Sequence, residues 1–486
     1  MKRDDEVVLT VDQAAFEGRT VGRLEGLVVF VDGAVPGDTV RVRILKSKKN
    51  YAEAKVIAVE HPSPHRVAPR CIHFGACGGC KWQHVDYKLQ LQFKERQVID
   101  AFERIGGFSN LNVHPIIGSD EIFFYRNKME YSFAEKEWLV SAPHAAEPIQ
   151  ELETLNFKLE TQNSKPETHT SKLFLGLHVP QRFDKVLEIT ECHLQSNTSN
   201  DILNFGRSFA RRERLPVYSS DADEGYLRFL VIRESKRTKE TMVNLVTFDD
   251  RPEVMTNFTK ELLEVVPSVT TVVNTINSKK AQIAFGDREK VYAGPGLIRE
   301  RLGNHIFKIS ASSFFQTNTD QAERLYTVAK NFADFKSTDF VWDLYSGTGS
   351  IALFASDAVS QVIGVESVES AVDDARKNAA GNDVKNCTFV LGDLKDRLTN
   401  DREWMSKHAK PDVMIIDPPR SGMHPKVVEE ILEIAPERIV YVSCNPATQA
   451  RDVKTLATRY DVLELQPVDM FPHTYHIENV TRLVLR

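Results

Sequence analysis

The sequence has little cysteine and no long apolar run. Six cysteines in 486 residues are too few for a disulfide framework, and a cytoplasmic protein would keep them reduced. No stretch approaches the ~18 uninterrupted apolar residues that a membrane-spanning helix needs. The first ten residues, MKRDDEVVLT, run straight into charge and lack the apolar segment of a secretory signal. These absences predict a cytoplasmic protein that does not span a membrane.

The sequence also lacks an excess of positive charge. Its formal net charge is -6, which by itself argues against a nucleic-acid partner. The charge is uneven, however, because positions 41–55 carry six basic residues against Glu53 alone, and RSFARRER at 207–214 is a second basic segment. Tyr51 lies within the first segment, where an aromatic ring can stack on a base. An equally weighted alternative is a solvated strand edge, where lysines block pairing with another chain.

Length and pattern predict several domains. At about 150 residues per domain, 486 residues make roughly three. Short alternating runs over 1–62 predict a small OB-like β-barrel. Positions 63–310 form a predicted central domain, with a helix over 85–107 that could pack on the last domain, mainly strands over 122–310, and a polar surface insertion at 136–172. From 311 to 486, strands alternate with amphipathic helices, which predicts a Rossmann-like doubly wound α/β domain.

Three of the cysteines lie within ten residues, as Cys71-x5-Cys77-Gly-Gly-Cys80. The two glycines allow the sharp turn that would bring two thiolates to one metal. Cys192 is the only further cysteine upstream of the C-terminal region, and it could complete a set of four. Structural zinc and iron–sulfur clusters both take four cysteine thiolates. The spacing therefore predicts a metal site and leaves its metal open.

The first strand of the C-terminal region runs into Asp343-Leu-Tyr-Ser-Gly347-Thr-Gly349-Ser-Ile-Ala352. This fits the dinucleotide pattern G-x-G-x-x-G/A, in which glycines let the backbone approach a ligand. Glu366 closes the next strand, where a carboxylate can accept the hydroxyls of an adenosine ribose. Asp393 closes the third strand, near an expected adenine edge. A nicotinamide dinucleotide and S-adenosylmethionine would make the same demands, so both remain open at this point.

Three further strand ends carry reactive side chains. Asp417-Pro-Pro-Arg is similar to the D/N-P-P motif of nucleic-acid methyltransferases, and its two prolines hold a rigid turn beside the acid. Cys444 ends the strand RIVYVSC, a position that favours a site over a packing role. Glu478 follows in PHTYHIENVTRL, with His473 and His476 nearby.

Taken together, DLYSGTG, DPPRSG, YVSCNPATQARD and MFPHTYHIE resemble the RNA uracil-5 methyltransferases, which make 5-methyluridine. The segment C-x5-C-G-G-C-x2-Q-H, with YRNKMEYSF, RFDKVLEITECHL and SSFFQTN, is similar to the 23S ribosomal RNA branch of that family, which carries a 4Fe–4S cluster. The N-terminal β-module resembles the TRAM domain of that branch. The resemblance runs from about residue 5 to the end, outside the insertion at 136–172.

The resemblance implies a role for each matching residue. Cys444 would be the nucleophile that adds to carbon 6 of uracil, and Glu478 the general base. The ligands of S-adenosylmethionine would be Gln316, Tyr345, Glu366, Asp393 and Asp417, and those of the cluster Cys71, Cys77, Cys80 and Cys192. Cys387 matches nothing.

We therefore expect a monomeric enzyme that methylates 23S ribosomal RNA. Transfer RNA is the alternative substrate. An NAD-dependent oxidoreductase is a weaker alternative, because it would leave Cys444, Glu478 and Asp417 without roles. A non-catalytic RNA-binding protein is weaker too, because such a protein is expected to lose its nucleophile.

Overall fold

The computed structural model of the chain describes residues 1–136, 173–179, 182–399, 401, 403 and 408–486. The predicted insertion at 136–172 lies, apart from its first residue, outside these described residues. Within them the protein is an α/β chain with a closed barrel, two seven-stranded sheets and a two-stranded ribbon. Of the helices described, none is both long and apolar enough to cross a membrane.

The N-terminal region consists of five strands: β1 (Glu6–Ala14), β2 (Thr20–Leu24), β3 (Leu27–Asp32), β4 (Thr39–Ser47) and β5 (Tyr51–His61). They close into a barrel of order β1-β2-β3-β5-β4, antiparallel except where β3 meets β5. Alternate side chains point inward, so Val29, Val42 and Ile44 are fully buried. The expected N-terminal barrel is confirmed.

The middle of the chain begins with helix α1 (Tyr87–Ala101), which continues into a π-helical turn, Phe102–Gly106. The sheet that follows contains β6 (Lys128–Ala134), β7 (Phe174–Val179), β8 (Arg182–Glu188), β9 (Leu227–Glu234), β10 (Thr241–Thr247), β11 (Thr271–Ile276) and β12 (Arg288–Ala293). Its order is β12-β11-β10-β9-β6-β7-β8, and only β10 and β11 run parallel. The helices α2 (Asn197–Arg212) and α3 (Pro252–Val265) share its apolar core.

A ribbon leads into the C-terminal region, made of β13 (Leu297–Leu302) and β14 (His305–Ser310). The elements that follow are α4 (Thr319–Ala333), β15 (Phe340–Leu344), α5 (Ser350–Ser356), β16 (Gln361–Glu366), α6 (Glu369–Gly381), β17 (Cys387–Leu391), α7 (Leu394–Thr399), β18 (Val413–Ile416), α8 (Pro425–Ile434), β19 (Arg438–Ser443), α9 (Pro446–Leu456), β20 (Tyr460–Val468) and β21 (Glu478–Leu485). The sheet order is β17-β16-β15-β18-β19-β21-β20.

This C-terminal sheet is parallel except for β21, which runs antiparallel to both β19 and β20. The fully buried strands β18 and β19 read as continuous apolar runs, as expected for a sheet covered on both faces. The carboxyl ends of the parallel strands β15 to β19 meet at one edge, where ligands bind in such sheets.

Helix α1 packs on the C-terminal region. Its Val98 belongs to the same apolar cluster as Trp342 and Tyr441. Lys94 and Asp469 are both fully buried and form an ion pair of 2.5 Å. Burial of two charges is tolerated because each is paired and hydrogen-bonded. Helix α1, which is distant in the sequence, therefore packs against the segment that precedes β21 and is linked to it by this ion pair.

Candidate active site

The turn between β15 and α5 is open at its first glycine. Tyr345 and Gly347 have φ angles of 65° and 53°, in the left-handed region that non-glycine residues seldom adopt. A Cβ atom on Gly347 would meet no atom within 4 Å, whereas one on Gly349 would lie 2.6 Å from Cζ of Phe389. Gly349 therefore serves packing, and Gly347 is the point where a ligand can approach the backbone.

Tyr345, Glu366 and Asp393 line one cavity of about 140 Å³ at the edge of the sheet. Glu366 accepts a hydrogen bond of 3.0 Å from the N–H of Gly347. Asp393 accepts one of 2.9 Å from the N–H of Lys395 and so caps α7. Burial and the charge of Asp393 raise the pKa of Tyr345 to about 12. Three of the predicted cofactor ligands thus lie together beside the open turn.

Gln316 and Asp417 lie outside the lining of that cavity. Gln316 lies two residues after Phe314, whose carbonyl oxygen accepts a hydrogen bond of 3.2 Å from the hydroxyl of Thr348 in the glycine-rich turn. Asp417 follows β18, the neighbour of β15 in the sheet. Burial raises the pKa of its carboxyl group to about 7. Asp417 thus lies beside the end of β15 that leads into the turn, and the segment that precedes Gln316 contacts the turn itself.

Cys444 and Glu478 come from neighbouring strands. Ser443, the last residue of β19, pairs with Asn479 of β21, so Cys444 and Glu478 lie at the same end of this strand pair. Burial, and then the charge of Glu478, raise the pKa of the Cys444 thiol to about 11. Burial, and then the charge of Asp417, hold the pKa of Glu478 well above its ordinary value. A carboxylate in such surroundings is a stronger proton acceptor than one in water.

Arg420 supplies positive charge to this pocket. Its charge lowers the pKa of the Cys444 thiol. Its backbone carbonyl accepts hydrogen bonds from the side chains of Asn445, at 3.0 Å, and Thr448, at 3.2 Å. The Pro-Pro-Arg turn is therefore tied to the start of α9. Arg420 is the last residue of the Asp-Pro-Pro-Arg motif, and its contribution to this pocket was not predicted from the sequence.

Asp343 is a further residue that sequence reasoning left without a role. Its carboxyl group is completely buried and faces the backbone of Ala352, yet neither oxygen completes a hydrogen bond of ordinary geometry among the described residues. Burial, then the charges of Asp417 and Glu366, hold its pKa well above the ordinary value. A buried acid with incomplete partners points to a missing one. Its place at the head of the glycine-rich motif was the available signal.

The four cysteines of the predicted metal site line one cavity of about 320 Å³. Three come from the loop before α1, and Cys192 comes from the segment after β8. Burial raises the pKa of both Cys77 and Cys80 to about 12, and the neighbouring thiols add to this effect. Cys77 accepts a hydrogen bond of 3.3 Å from the N–H of Gly79, and Cys80 accepts one of 3.3 Å from the amide of Gln83.

The thiols of this cavity are not arranged as a ligand shell. Within the described part of the chain, no group of three or more His, Cys, Asp or Glu side chains is positioned to hold a metal ion. The four predicted ligands therefore line one cavity, but the positions of their side chains do not by themselves establish a metal site.

The two basic segments differ in how their charge is used. In the segment 207–214, Arg207 is buried, Arg211 pairs with Glu188 at 2.5 Å and Arg212 with Glu261 at 2.7 Å. This segment is the end of α2, and most of its charge holds the central region together. In the barrel, the described residues offer no ion-pair partner to the exposed lysines of the β4–β5 turn, Lys48 and Lys49.

The sequence profile described as tRNA (Uracil-5-)-methyltransferase matches residues 238–485, and the TRAM domain profile matches residues 5–57. An uncharacterized RNA methyltransferase of Porphyromonas gingivalis is 42% identical over 481 residues, which cover 98% of this chain and 99% of the relative. The chain belongs to the tRNA (Uracil-5-)-methyltransferase family. The predicted family and its N-terminal TRAM domain are thereby confirmed.

Two further comparisons support the same family membership. An uncharacterized RNA methyltransferase of Bacteroides thetaiotaomicron is 41% identical, over 97% of this chain and 100% of the relative. The solved structure of the Pyrococcus abyssi tRNA (uracil-54, C5)-methyltransferase, in complex with S-adenosyl-L-homocysteine, matches with a TM-score of 0.72. That structure is 28% identical and covers 98% of this chain and 100% of its own. This member of the uracil-5-methyltransferase family thus shares its whole architecture with a solved enzyme.

Proposed function

We propose that the protein transfers a methyl group from S-adenosylmethionine to carbon 5 of a uridine in RNA, through a covalent bond between Cys444 and carbon 6 of the base. The observation that carries this proposal is the convergence of Cys444, Glu478 and Asp417 at one edge of the sheet, beside the open turn at Gly347. The similarity to an enzyme solved with S-adenosyl-L-homocysteine supports the choice of methyl donor.

The chemistry explains why this pocket needs a thiol and a buried carboxylate. The Cys444 thiol loses its proton to solvent, and the thiolate adds to carbon 6, so that the electrons of the 5,6 double bond form an enolate. Carbon 5 of this enolate then takes the methyl group. Glu478 removes the remaining proton from carbon 5, the 5,6 double bond re-forms, and the bond between carbon 6 and sulfur breaks to release Cys444.

The methyl donor would be held by Tyr345, Glu366 and Asp393 around the smaller cavity, and the resemblance to the family adds Gln316 and Asp417 as further ligands. When bound, S-adenosylmethionine supplies the methyl group from its sulfonium. Glu366 suits the ribose hydroxyls because it ends β16, and Asp393 suits the adenine edge because it lies just beyond the end of β17. The incompletely bonded carboxyl of Asp343 fits a positively charged or hydrogen-bonding part of that ligand.

The four cysteines would hold a 4Fe–4S cluster. Their fit rests on the donor set, because four thiols line one cavity and N–H groups hydrogen-bond two of the sulfurs, as in clusters whose properties are tuned in this way. When bound, the cluster would cross-link the loop before α1 to the segment after β8. The methylation steps need no electron transfer, so this role is structural. Stoichiometric zinc in the purified protein would contradict it.

The RNA substrate we propose is 23S ribosomal RNA, on the strength of the cysteine pattern and the TRAM domain. Transfer RNA is the second candidate, because the similar solved enzyme acts on uracil 54 of tRNA. In either case the target base must leave its stack, which costs a few kcal/mol and less in a single-stranded loop. The exposed Lys48 and Lys49 on the barrel suit contact with phosphates.

The covalent mechanism is tested by Cys444→Ala. We expect loss of tritium transfer from labelled S-adenosylmethionine to RNA, and loss of the covalent complex that 5-fluorouridine RNA forms with the wild type. The fluorine matters because it replaces the proton that Glu478 must remove. Cys387→Ala is the matched control, since Cys387 lies on β17 away from this pocket. Full activity of Cys444→Ala would contradict the proposal.

The substrate is tested by mapping 5-methyluridine in a strain that lacks the gene. We expect one position of 23S ribosomal RNA to lose its methyl group while transfer RNA keeps its own. Restoring the wild-type gene, but not the Cys444→Ala variant, should restore the mark. Loss confined to transfer RNA would overturn the choice of substrate and leave the chemistry intact.

A further inference from the structure

His476 lies beside the predicted nucleophile without a role in the steps above. Its Nδ1 atom is 3.2 Å from Nη2 of Arg420, the side chain whose positive charge lowers the pKa of the Cys444 thiol. A guanidinium group has donors and no acceptor. The hydrogen bond therefore requires Nδ1 of His476 to be the acceptor, which places the proton of a neutral imidazole on Nε2.

The imidazole is held in place on several sides. Its ring packs against Tyr475, with centroids 4.3 Å apart, and meets the edge of Phe471 at 6.2 Å. Its backbone N–H donates a hydrogen bond of 3.2 Å to the hydroxyl of Thr474. Burial, then the charges of Arg420, Lys94 and Arg126, lower the pKa of His476 to about 4. A neutral acceptor at a fixed place is thus present throughout the neutral pH range.

We infer that His476 is a positioning residue that holds the Arg420 guanidinium against the Cys444 thiol and so favours the reactive thiolate. Arg420 needs such a support because its side chain is largely exposed, and a long exposed side chain samples many rotamers. The inference rests on the proposed function in one respect, namely that Cys444 acts as a thiolate nucleophile.

The charges around Cys444 explain why the orientation of one guanidinium matters. Glu478 on β21 and Asp417 after β18 both face the thiol and oppose its ionisation. Arg420 is the described cation that opposes them. Where two carboxylates and one cation compete at short range, moving the cation away shifts the balance strongly toward the protonated thiol.

The test compares His476→Phe with His476→Asn in the full-length protein. Phenylalanine keeps the ring contacts and removes the acceptor, whereas the asparagine oxygen lies near the place of Nδ1. The rate at which iodoacetamide alkylates Cys444 is followed against pH by mass spectrometry of its peptide. We expect His476→Phe to raise the midpoint of that profile by about one pH unit, and His476→Asn to restore most of it.

The same profile is then measured with Arg420→Gln as background. If His476 acts through Arg420, adding His476→Phe to Arg420→Gln should produce no further shift. A midpoint that His476→Phe leaves unchanged, or an equal shift in both backgrounds, would overturn the inference. Binding of S-adenosylmethionine, measured by calorimetry, checks that each variant is folded.

The two proposals can fail separately. If the alkylation midpoints shift as expected while wild-type enzyme methylates no RNA, the proposed function is wrong and the His476–Arg420 coupling stands. If wild-type enzyme methylates RNA while the midpoints do not respond to His476, the coupling is wrong and the function stands.

Discussion

The protein contains two sites built from partly buried cysteine side chains, and the charged groups around the two sites differ. Cys444 stands alone, facing one guanidinium, one glutamate and one aspartate. The thiols of the larger cavity face one another. Burial raises the thiol pKa at both sites, to about 11 for Cys444 and to about 12 for Cys77 and Cys80.

Burial alone therefore does not distinguish the proposed nucleophile from the proposed metal ligands, whereas the groups that surround them do. A cation beside a single thiol favours a thiolate that can attack a substrate. Several thiols that repel one another when ionised need a metal to stabilise their charge. Variants that remove one neighbouring group at a time test whether these groups set the behaviour of the two sites.

The largest effect is expected from Glu478→Gln. It leaves Cys444 and the methyl donor in place and removes the proton acceptor, so the methylated covalent adduct should accumulate. Turnover should fall roughly 10²–10⁴-fold, the usual contribution of a general base. Single-turnover assays with denaturing gels would measure both quantities. Glu464→Gln, on the neighbouring strand β20, is the control. A variant that neither methylates nor forms the adduct would show that Glu478 serves the first step instead.

The next largest effect is expected from Cys77→Ala. Removing one of four ligands should abolish iron and acid-labile sulfide, and lower the free energy of unfolding by about 4 kcal/mol or more. RNA methylation should fall much less than it does in Cys444→Ala. Cys387→Ala, a similar truncation of a partly buried cysteine, should retain the metal and cost about 1 kcal/mol. Retention of full metal content in Cys77→Ala would exclude that residue as a ligand.

The smallest effect concerns the acid beside Cys444. The carboxyl of Asp417 has an ordinary pKa of 3.8, and burial raises it to about 7 in the folded protein. Between these values the folded state binds the extra proton, so stability is highest at low pH and decreases as pH rises toward 7. The slope is at most about 1.4 kcal/mol per pH unit.

Asp417→Asn should remove this part of the pH dependence in the ligand-free enzyme. Urea unfolding at pH 5, 6 and 7 would measure the slope. Asp393→Asn, at the exposed end of β17, is the matched control and should keep the wild-type slope. An unchanged slope in Asp417→Asn would mean that the group does not bind a proton on folding.

Much of the fold followed from pattern in the sequence. Alternating apolar residues identified the barrel, and the change to apolar strands separated by amphipathic helices identified the C-terminal sheet. Both patterns indicate which face of each strand or helix is buried, and this can be predicted from the order of apolar residues within a single element. The strand ends carrying Glu366, Asp393 and Cys444 could be brought to one edge for the same reason, because parallel strands end together.

The sequence could not reveal contacts that depend on how distant segments meet. The hydrogen bond between Arg420 and His476 joins residues 56 positions apart. Neither residue type, taken from the sequence alone, indicates which partner it will contact. The basic segment 207–214 looked like an RNA contact, yet Arg211 and Arg212 find carboxylates on other elements. The net charge of -6 was equally uninformative about RNA binding, because it averages over separate surfaces of different local charge.

The buried pair of Lys94 and Asp469 has a consequence for how the chain is made. The two residues are 375 positions apart, so a ribosome adding about 5–20 residues per second needs roughly 20–75 s to join them. Throughout that time α1 carries an apolar face and a lysine without their final partner. Asp469 thus completes the packing of a helix whose Lys94 was synthesised 375 positions earlier, and a chain truncated between the two residues should be cut more readily by proteases.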